Sequence, residues 1–276
     1  EIERGESGVS TQTDVFAFAI VVFQVLTLQH PLLGDEVQDG DPDLEEAAFR
    51  GELPWIDDPN DSRNRTDNGL SRSVALTPAL QGLLQTTFGP GLADPDARPS
   101  AAQFAGVLHR AAGTSIQCDD GQGGGCSKWF SVGHGLCPWC GVPRRSDLAL
   151  SKLGYFAVIQ ADHGPPATVG IWAPDETMSL VARGSHPAHW TRNQVYGDFG
   201  ERGTQILMTI DVVGKGVRVR PGDGVDVWYS KSLPVADVSI EEWTKEMRRL
   251  TRATSLERGY LLHLGPADQS HPIVRL

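Results

Sequence analysis

The chain has 276 residues, enough for one large or two modest domains, and 39% of them are hydrophobic, which supports a real core. Its formal net charge of −11 is uneven: residues 1–140 hold 8 Lys/Arg against 20 Asp/Glu, and residues 141–276 hold 16 against 15. The halves therefore read as different domains, and the acidic first half argues against non-specific binding to nucleic acid or anionic membrane, which needs a positive field.

Glu1 opens the chain in place of Met, inside a polar segment, as a fragment would. The first apolar run is "TDVFAFAIVVFQVL", Thr13 to Leu26, where Gln24 is the one polar residue after Asp14. A membrane-spanning helix needs about 20 apolar residues, and runs of about 10–14 more often mark buried core helices. The acidic residues Glu1, Glu3 and Glu6 exclude a signal peptide, which begins with positive charge. The run predicts a helix buried on nearly all sides, with Asp14 near its N-terminus and Pro31 at its stop.

Gly34 to Thr77 reads as loops, with one helix-like patch from Pro42 to Gly51. "TPALQGLLQTTF" predicts a helix with Thr77 as N-cap and Pro78 at its first position. "GPG" at 89–91 ends it. "DPDARPSAAQFAGVLHRAAG" then gives a turn, a Ser100 cap and a helix with Phe104, Val107 and Leu108 on one face.

In this order the stretches "EIERGES…STQTDVFAFAIVVFQVLTLQHPL" and "DPDARPSAAQF" are similar to the C-lobe of eukaryotic-like Ser/Thr protein kinases, from the Glu of Ala-Pro-Glu onward. The resemblance covers roughly residues 1–112. It implies that the apolar helix is the pillar of the lobe and that Asp14 accepts backbone N–H bonds from the catalytic loop. It also implies that Glu1 pairs with Arg98. The chain holds no Gly-rich loop, β3 lysine, His-Arg-Asp run or Asp-Phe-Gly. Residues for ATP, Mg²⁺ and the attacking hydroxyl would then belong to a full-length parent, and this chain would carry no catalytic residue.

All four cysteines lie in "CDDGQGGGCSKWFSVGHGLCPWC", at Cys118, Cys126, Cys137 and Cys140. The Cys-x-x-Cys turn lets two thiolates reach one tetrahedral metal at about 2.3 Å, and thiolates suit zinc. The first pair is separated by seven residues, wider than usual, so Cys118 is the least secure ligand and His134 its reserve. A redox Cys-x-x-Cys and unligated thiols are the competing readings. Four cysteines in one short stretch point to a reducing compartment, hence the cytoplasm. The stretch resembles a zinc ribbon, and a bacterial kinase subgroup carries a similar Cys-Pro-Trp-Cys ribbon just after its C-lobe. Trp129, Phe130 and Trp139 are expected to pack the ribbon rather than stack on bases.

From Tyr155 the pattern turns to strands: "YFAVIQA", "TVGIWA", "MSLVA", "QILMTIDVV" and "GVRVR". Alternation on both sides of "PGDG" at 221–224 predicts a hairpin through that turn. "SIEEWTKEMRRLTRA" predicts an amphipathic helix capped by Ser239 with Glu242, its basic run Arg248, Arg249 and Arg252 facing solvent. "GYLLHL" and "HPIVRL" close with two more strands, and His263 reads as a satisfied strand histidine rather than a catalyst.

The sequence thus predicts a multidomain α+β chain: a helical kinase-like C-lobe fragment over 1–113, a small four-cysteine zinc ribbon over 114–146, and an antiparallel β-rich accessory domain with one helix over 147–276. The expected function is the C-terminal part of a Ser/Thr kinase, a signalling transferase that moves the ATP γ-phosphate to protein hydroxyls. The alternative is a non-catalytic pseudokinase scaffold whose ribbon and β domain bind a partner. The expected partner is a protein substrate or regulator; charge disfavours nucleic acid, and no membrane is expected.

Overall fold

The structure, a computed structural model, describes residues 10–122, 124–159, 167–171, 178–184, 186–198, 200–231 and 240–276. The chain divides into two compact units, Glu1–Ala111 and Ala112–Leu276. Helices make up the first, and antiparallel sheets dominate the second, so the α+β class holds. Among the described residues no helix is long and apolar enough to cross a membrane.

The first unit is built on α1 (Thr11–Thr27), followed by α2 (Asp35–Gln38), α3 (Asp43–Phe49), α4 (Arg72–Ala75), α5 (Pro78–Phe88), α6 (Pro90–Ala93) and α7 (Ala101–Gly113). Ser10, not Asp14, stands at the N-cap of α1, its N–H donating to Thr13 Oγ1 at 3.3 Å. Leu28 closes the helix in the left-handed region, φ 61°. Thr77 accepts from the Leu80 N–H at 3.3 Å, and the Ser100 hydroxyl accepts from the Gln103 N–H at 3.3 Å, so both expected caps form.

The core of this unit joins Val15, Ala19 and Phe23 of α1 to Leu80, Leu84 and Phe88 of α5, Phe104 of α7, and Trp55 and Ile56. Phe23, Trp55 and Phe88 meet with ring centroids 5.6–6.1 Å apart, favourable edge and tilted geometries. The loop that holds Trp55 is organised by Asn64, which is fully buried. Its amide donates to the carbonyls of Leu32 at 2.8 Å and Pro54 at 2.9 Å and accepts from the Gly34 N–H at 3.0 Å.

Burial of α1 differs from the expectation. Phe18, Val21, Val25 and Leu28 are 42%, 54%, 69% and 67% exposed. They recur at helical spacing and form one apolar stripe. Hydropathy counts apolar residues but not the neighbours available to cover them, and the described elements of this unit cover one side of the helix.

The second unit opens with a hairpin of β1 (Ser115–Gln117) and β2 (Trp129–Ser131). The remaining strands are β3 (Leu148–Ile159), β4 (Ala167–Ile171), β5 (Ser179–Arg183), β6 (Ala188–Thr191), β7 (Ile206–Val213), β8 (Gly216–Pro221), β9 (Trp228–Ser230), β10 (Arg248–Arg249), β11 (Thr254–Leu256), β12 (Leu261–His263) and β13 (His271–Arg275). Helices α8 (Arg192–Tyr196) and α9 (Ile240–Glu246) interrupt them. One sheet runs β10-β9-β12-β13-β3-β4 with β5 also on β3, and a second runs β11-β8-β7-β6. The long β3 pairs β5 along Leu148–Lys152 and β4 along Tyr155–Ile159.

Alternation decides what each face buries. Leu153, Leu262 and Val274 share a core with Trp190, Met208, Ile210, Val217 and Val219 of the other sheet. Trp190 satisfies its indole N–H on Ser151 Oγ at 3.0 Å. The opposite face of the larger sheet holds Phe156 and Ile273, packed with Trp243 and Met247.

Two expectations fail here. No hairpin forms through "PGDG": β8 turns back on β7 through Gly214 and Lys215, while β9 joins the other sheet between β10 and β12. Alternation fixes a strand's faces but not its partner. The last helix is also shorter than predicted, because Arg248 and Arg249 leave it to pair with Tyr229 and Trp228 as β10. Ser239, its expected cap, lies outside the described residues.

Candidate metal centre

The β1–β2 hairpin places the first two cysteines. Ile116 and Phe130 pair across it, both buried, and the Cys118 N–H donates to the Lys128 carbonyl at 2.8 Å. The second pair sits on a tight turn. There the Gly141 N–H donates to the Cys137 carbonyl and the Cys137 N–H to the Val142 carbonyl, each at 2.8 Å. Gly141 takes φ 75°, a left-handed value that favours glycine. At the other loop Gly125 takes φ 101° where the chain returns past Cys118.

The two loops bring the four sulfurs together. All lie within 4.8 Å of one another. Cys118 Sγ is 3.5 Å from Cys140 Sγ, and Cys126 Sγ is 3.6 Å from Cys137 Sγ. No disulfide joins them. A tetrahedral ion with metal–sulfur bonds of about 2.3 Å spaces its sulfurs about 3.8 Å apart, so the group fits a metal ion. Cys118, the least secure ligand by spacing, belongs to the group, and His134, its reserve, does not. Cys118 and Cys137 are buried, Cys126 is half-buried and Cys140 is exposed.

The thiols perturb one another. At Cys118 a backbone N–H favours the thiolate, but burial and the three neighbouring thiols push its pKa up to about 12. At Cys140 the Val142 N–H and the same neighbours bring it down to about 7. A metal is held by thiolates, so binding would release the protons these sulfurs carry.

The ribbon is anchored to the strands that follow. Arg145 grips Asp147 at 2.5 Å and Asp119 at 3.2 Å, and Arg183 of β5 donates to the Gln117 carbonyl at 2.6 Å. Leu148 and Val181 pack on its small core of Ile116, Phe130, Cys118 and Cys137. Phe130 is buried as expected, and Trp139 donates its indole N–H to the Trp129 carbonyl at 3.2 Å. Trp129 departs from expectation at 63% exposed, since its place on a two-stranded hairpin points it away from the metal side. The two cations after the ribbon are engaged within the protein: Arg144 donates to the Val132 carbonyl and Arg145 is ion-paired.

In the helical unit Arg98 is buried, 8% exposed. Its guanidinium donates to the carbonyls of Gly91 at 2.7 Å and Gln12 at 3.0 Å and lies 4.5 Å over the Phe16 ring. Asp14 is exposed in the first turn of α1. Glu1, the expected partner of Arg98, lies outside the described residues.

Sequence reading gave no role to Ser230 and saw His271 only as one of several scattered histidines; both hydrogen-bond with His263 on the outer face of the larger sheet. The available signal was two histidines on consecutive strands. Comparison with protein families, curated protein sequences and solved structures gives no match to this chain.

Proposed function

We propose that the helical unit is the C-terminal part of a Ser/Thr protein kinase lobe, followed by a structural zinc ribbon and a β-rich accessory domain. One observation carries this reading. The two motif stretches, 86 residues apart, meet through Arg98, which reaches from "DPDARPS" to the Gln12 carbonyl and the Phe16 ring at the start of α1. The resemblance pairs Arg98 with Glu1, and the contact of Arg98 with the head of α1 supports the reading by joining the two stretches that carry it. The exposed stripe of Phe18, Val21, Val25 and Leu28 fits a pillar that has further elements packed around it in a larger lobe.

Phosphoryl transfer would come from residues outside this chain; the bacterial setting is what the resemblance implies, and the cytoplasmic one rests on the four clustered cysteines. Four soft thiolates in a tetrahedron select zinc, and four protein ligands leave no position for substrate. Zinc here would order the Gly-rich ribbon, whose own core is small.

The coding sequence upstream of Glu1 tests the proposal. A lysine, a His-Arg-Asp loop and an Asp-Phe-Gly in kinase order would support the enzyme. The lobe without them would support the scaffold. An upstream sequence with neither motifs nor N-lobe strands would overturn the kinase reading.

A further inference from the structure

Beyond the ribbon, the second unit contains a directed chain of polar side chains in an apolar setting. Ser230 Oγ lies 2.9 Å from His263 Nε2, His263 Nδ1 lies 2.8 Å from His271 Nε2, and His271 Nδ1 lies 2.7 Å from the Gln269 carbonyl oxygen. Ser230, His263 and His271 are 3%, 0% and 5% exposed. Phe156 and Trp243 enclose the rings, with centroids 4.8–6.0 Å away.

The carbonyl dictates where the protons sit. A carbonyl only accepts, so His271 carries its proton on Nδ1 and presents a lone pair at Nε2. His263 must then donate from Nδ1, which leaves a lone pair at its Nε2 for the Ser230 hydroxyl to donate into. The chain therefore runs one way, from a serine O–H into an imidazole whose other nitrogen is held in the donor state. This is the tautomer logic of a serine nucleophile, a base and an orienting group, with a second histidine as the orienting group.

Ser230 also borders open space. It stands where the β10 ladder ends, and it lines a cleft of about 440 Å³ with Tyr229, Lys231, Lys245, Arg248 and Tyr260. Three cations face one carboxylate there, Glu246, and none of the three is ion-paired among the described residues. Among the described residues the buried indole Nε1–H of Trp243 has no hydrogen-bond partner, so a donor stands beside the relay.

We propose that Ser230 is a nucleophile activated by His263 and positioned through His271, acting on an ester that carries an anionic group. In the first step Ser230 Oγ bonds to the acyl carbon while its proton passes to His263 Nε2. The ester C–O bond then breaks, and the leaving alkoxide takes that proton. Water hydrolyses the acyl-serine to free acid and restores Ser230. Burial pushes the His263 pKa down to about 3, so the base form is present at every pH near neutrality, at reduced basicity.

A fluorophosphonate tests this on the intact, zinc-loaded chain. Attack by Oγ forms a P–O bond and expels fluoride, and the serine proton leaves through His263. One adduct per chain is expected, at Ser230, with a rate flat between pH 6 and 8. S230A should abolish it, and H263A should slow it about a hundredfold or more, the typical share of a general base. H271A, checked for folding by circular dichroism, should slow labelling less than H263A, and H271N, whose amide oxygen can accept from His263 Nδ1, should recover part of the lost rate. 4-Nitrophenyl hemisuccinate should be cleaved faster than 4-nitrophenyl acetate, through the cleft cations. Folded wild-type protein that leaves Ser230 unlabelled, labelling on another residue alone, or an H263A variant labelled at the wild-type rate would each overturn the proposal.

Discussion

Acidification should weaken the second unit above the range where carboxylates matter. In the folded state His263 stays neutral to about pH 3, because burial and the neighbouring His271 both disfavour its charged form. Burial lowers His271 as well, only partly offset by the carbonyls of Gln269 and Pro266. In the unfolded chain both take up protons near pH 6.5. The unfolded state therefore binds more protons below pH 6.5, and folding stability falls as pH falls. It is fully present above pH 6.5. For His263 the slope is about 1.4 kcal/mol per pH unit below pH 6.5, so it removes about 2 kcal/mol by pH 5. The whole contribution, lost by about pH 3, is about 5 kcal/mol. His271 adds a loss of the same sign.

Urea unfolding followed by tryptophan fluorescence at pH 7.5, 6.5, 5.5 and 5 would measure the slope. Trp190 and Trp243, both buried in this unit, supply the signal. The helical unit contributes a smaller effect of the same sign through half-buried His30, whose pKa burial also lowers, so the two transitions need separate probes. Replacing His263 and His271 together by leucine should flatten the profile of the second unit. A wild-type profile already flat from pH 7.5 to 5, or an imidazole resonance of His263 that titrates near pH 6.5, would refute the buried neutral relay.

Elemental analysis of protein purified without added metal should find about one zinc per chain, and replacing Cys137 should release it and open the ribbon to protease while the helical unit stays folded. N64L should destabilise the helical unit by about 3 kcal/mol in thermal or urea unfolding, since it strands the Leu32 and Pro54 carbonyls and the Gly34 N–H inside the protein. R98A should cost about 3 kcal/mol in the same unit through the lost charge-assisted bonds to the Gly91 and Gln12 carbonyls and the contact with Phe16, and an unchanged midpoint would refute a structural role for this arginine. Incubation of this chain with labelled ATP and a generic protein substrate should give no label above a blank, because the motifs that hold nucleotide and metal are not in it.

Much of the local structure was legible in the sequence because its signals act within a turn or two of chain. Thr77 and Ser100 cap helices through bonds that span three residues, and the apolar run of α1 declares its helix without help from a partner. The cysteine group was legible for the same reason: two loops of one short stretch supply all four sulfurs, and spacing alone told that they could meet. What the sequence could not supply was the partner of each strand. Val217 and Val219 alternate as well against β7 and β11 as they would have against β9, so pattern could not reject the hairpin through "PGDG". Nor could it end α9 before Arg248, since the helical stripe and the strand pairing use the same residues and only the adjacent β9 edge decides between them. Asn64 looked like one more loop residue until three backbone groups from 10 to 32 positions away converged on it. His263 reads from the sequence as a satisfied strand histidine, and it does lie in β12 with both ring nitrogens in hydrogen bonds. That its two nitrogens are satisfied by Ser230 and His271, and in which direction, depends on three strands laid side by side and on one carbonyl that can only accept. Register across a sheet is a tertiary property, and there the sequence by itself gives way to the fold.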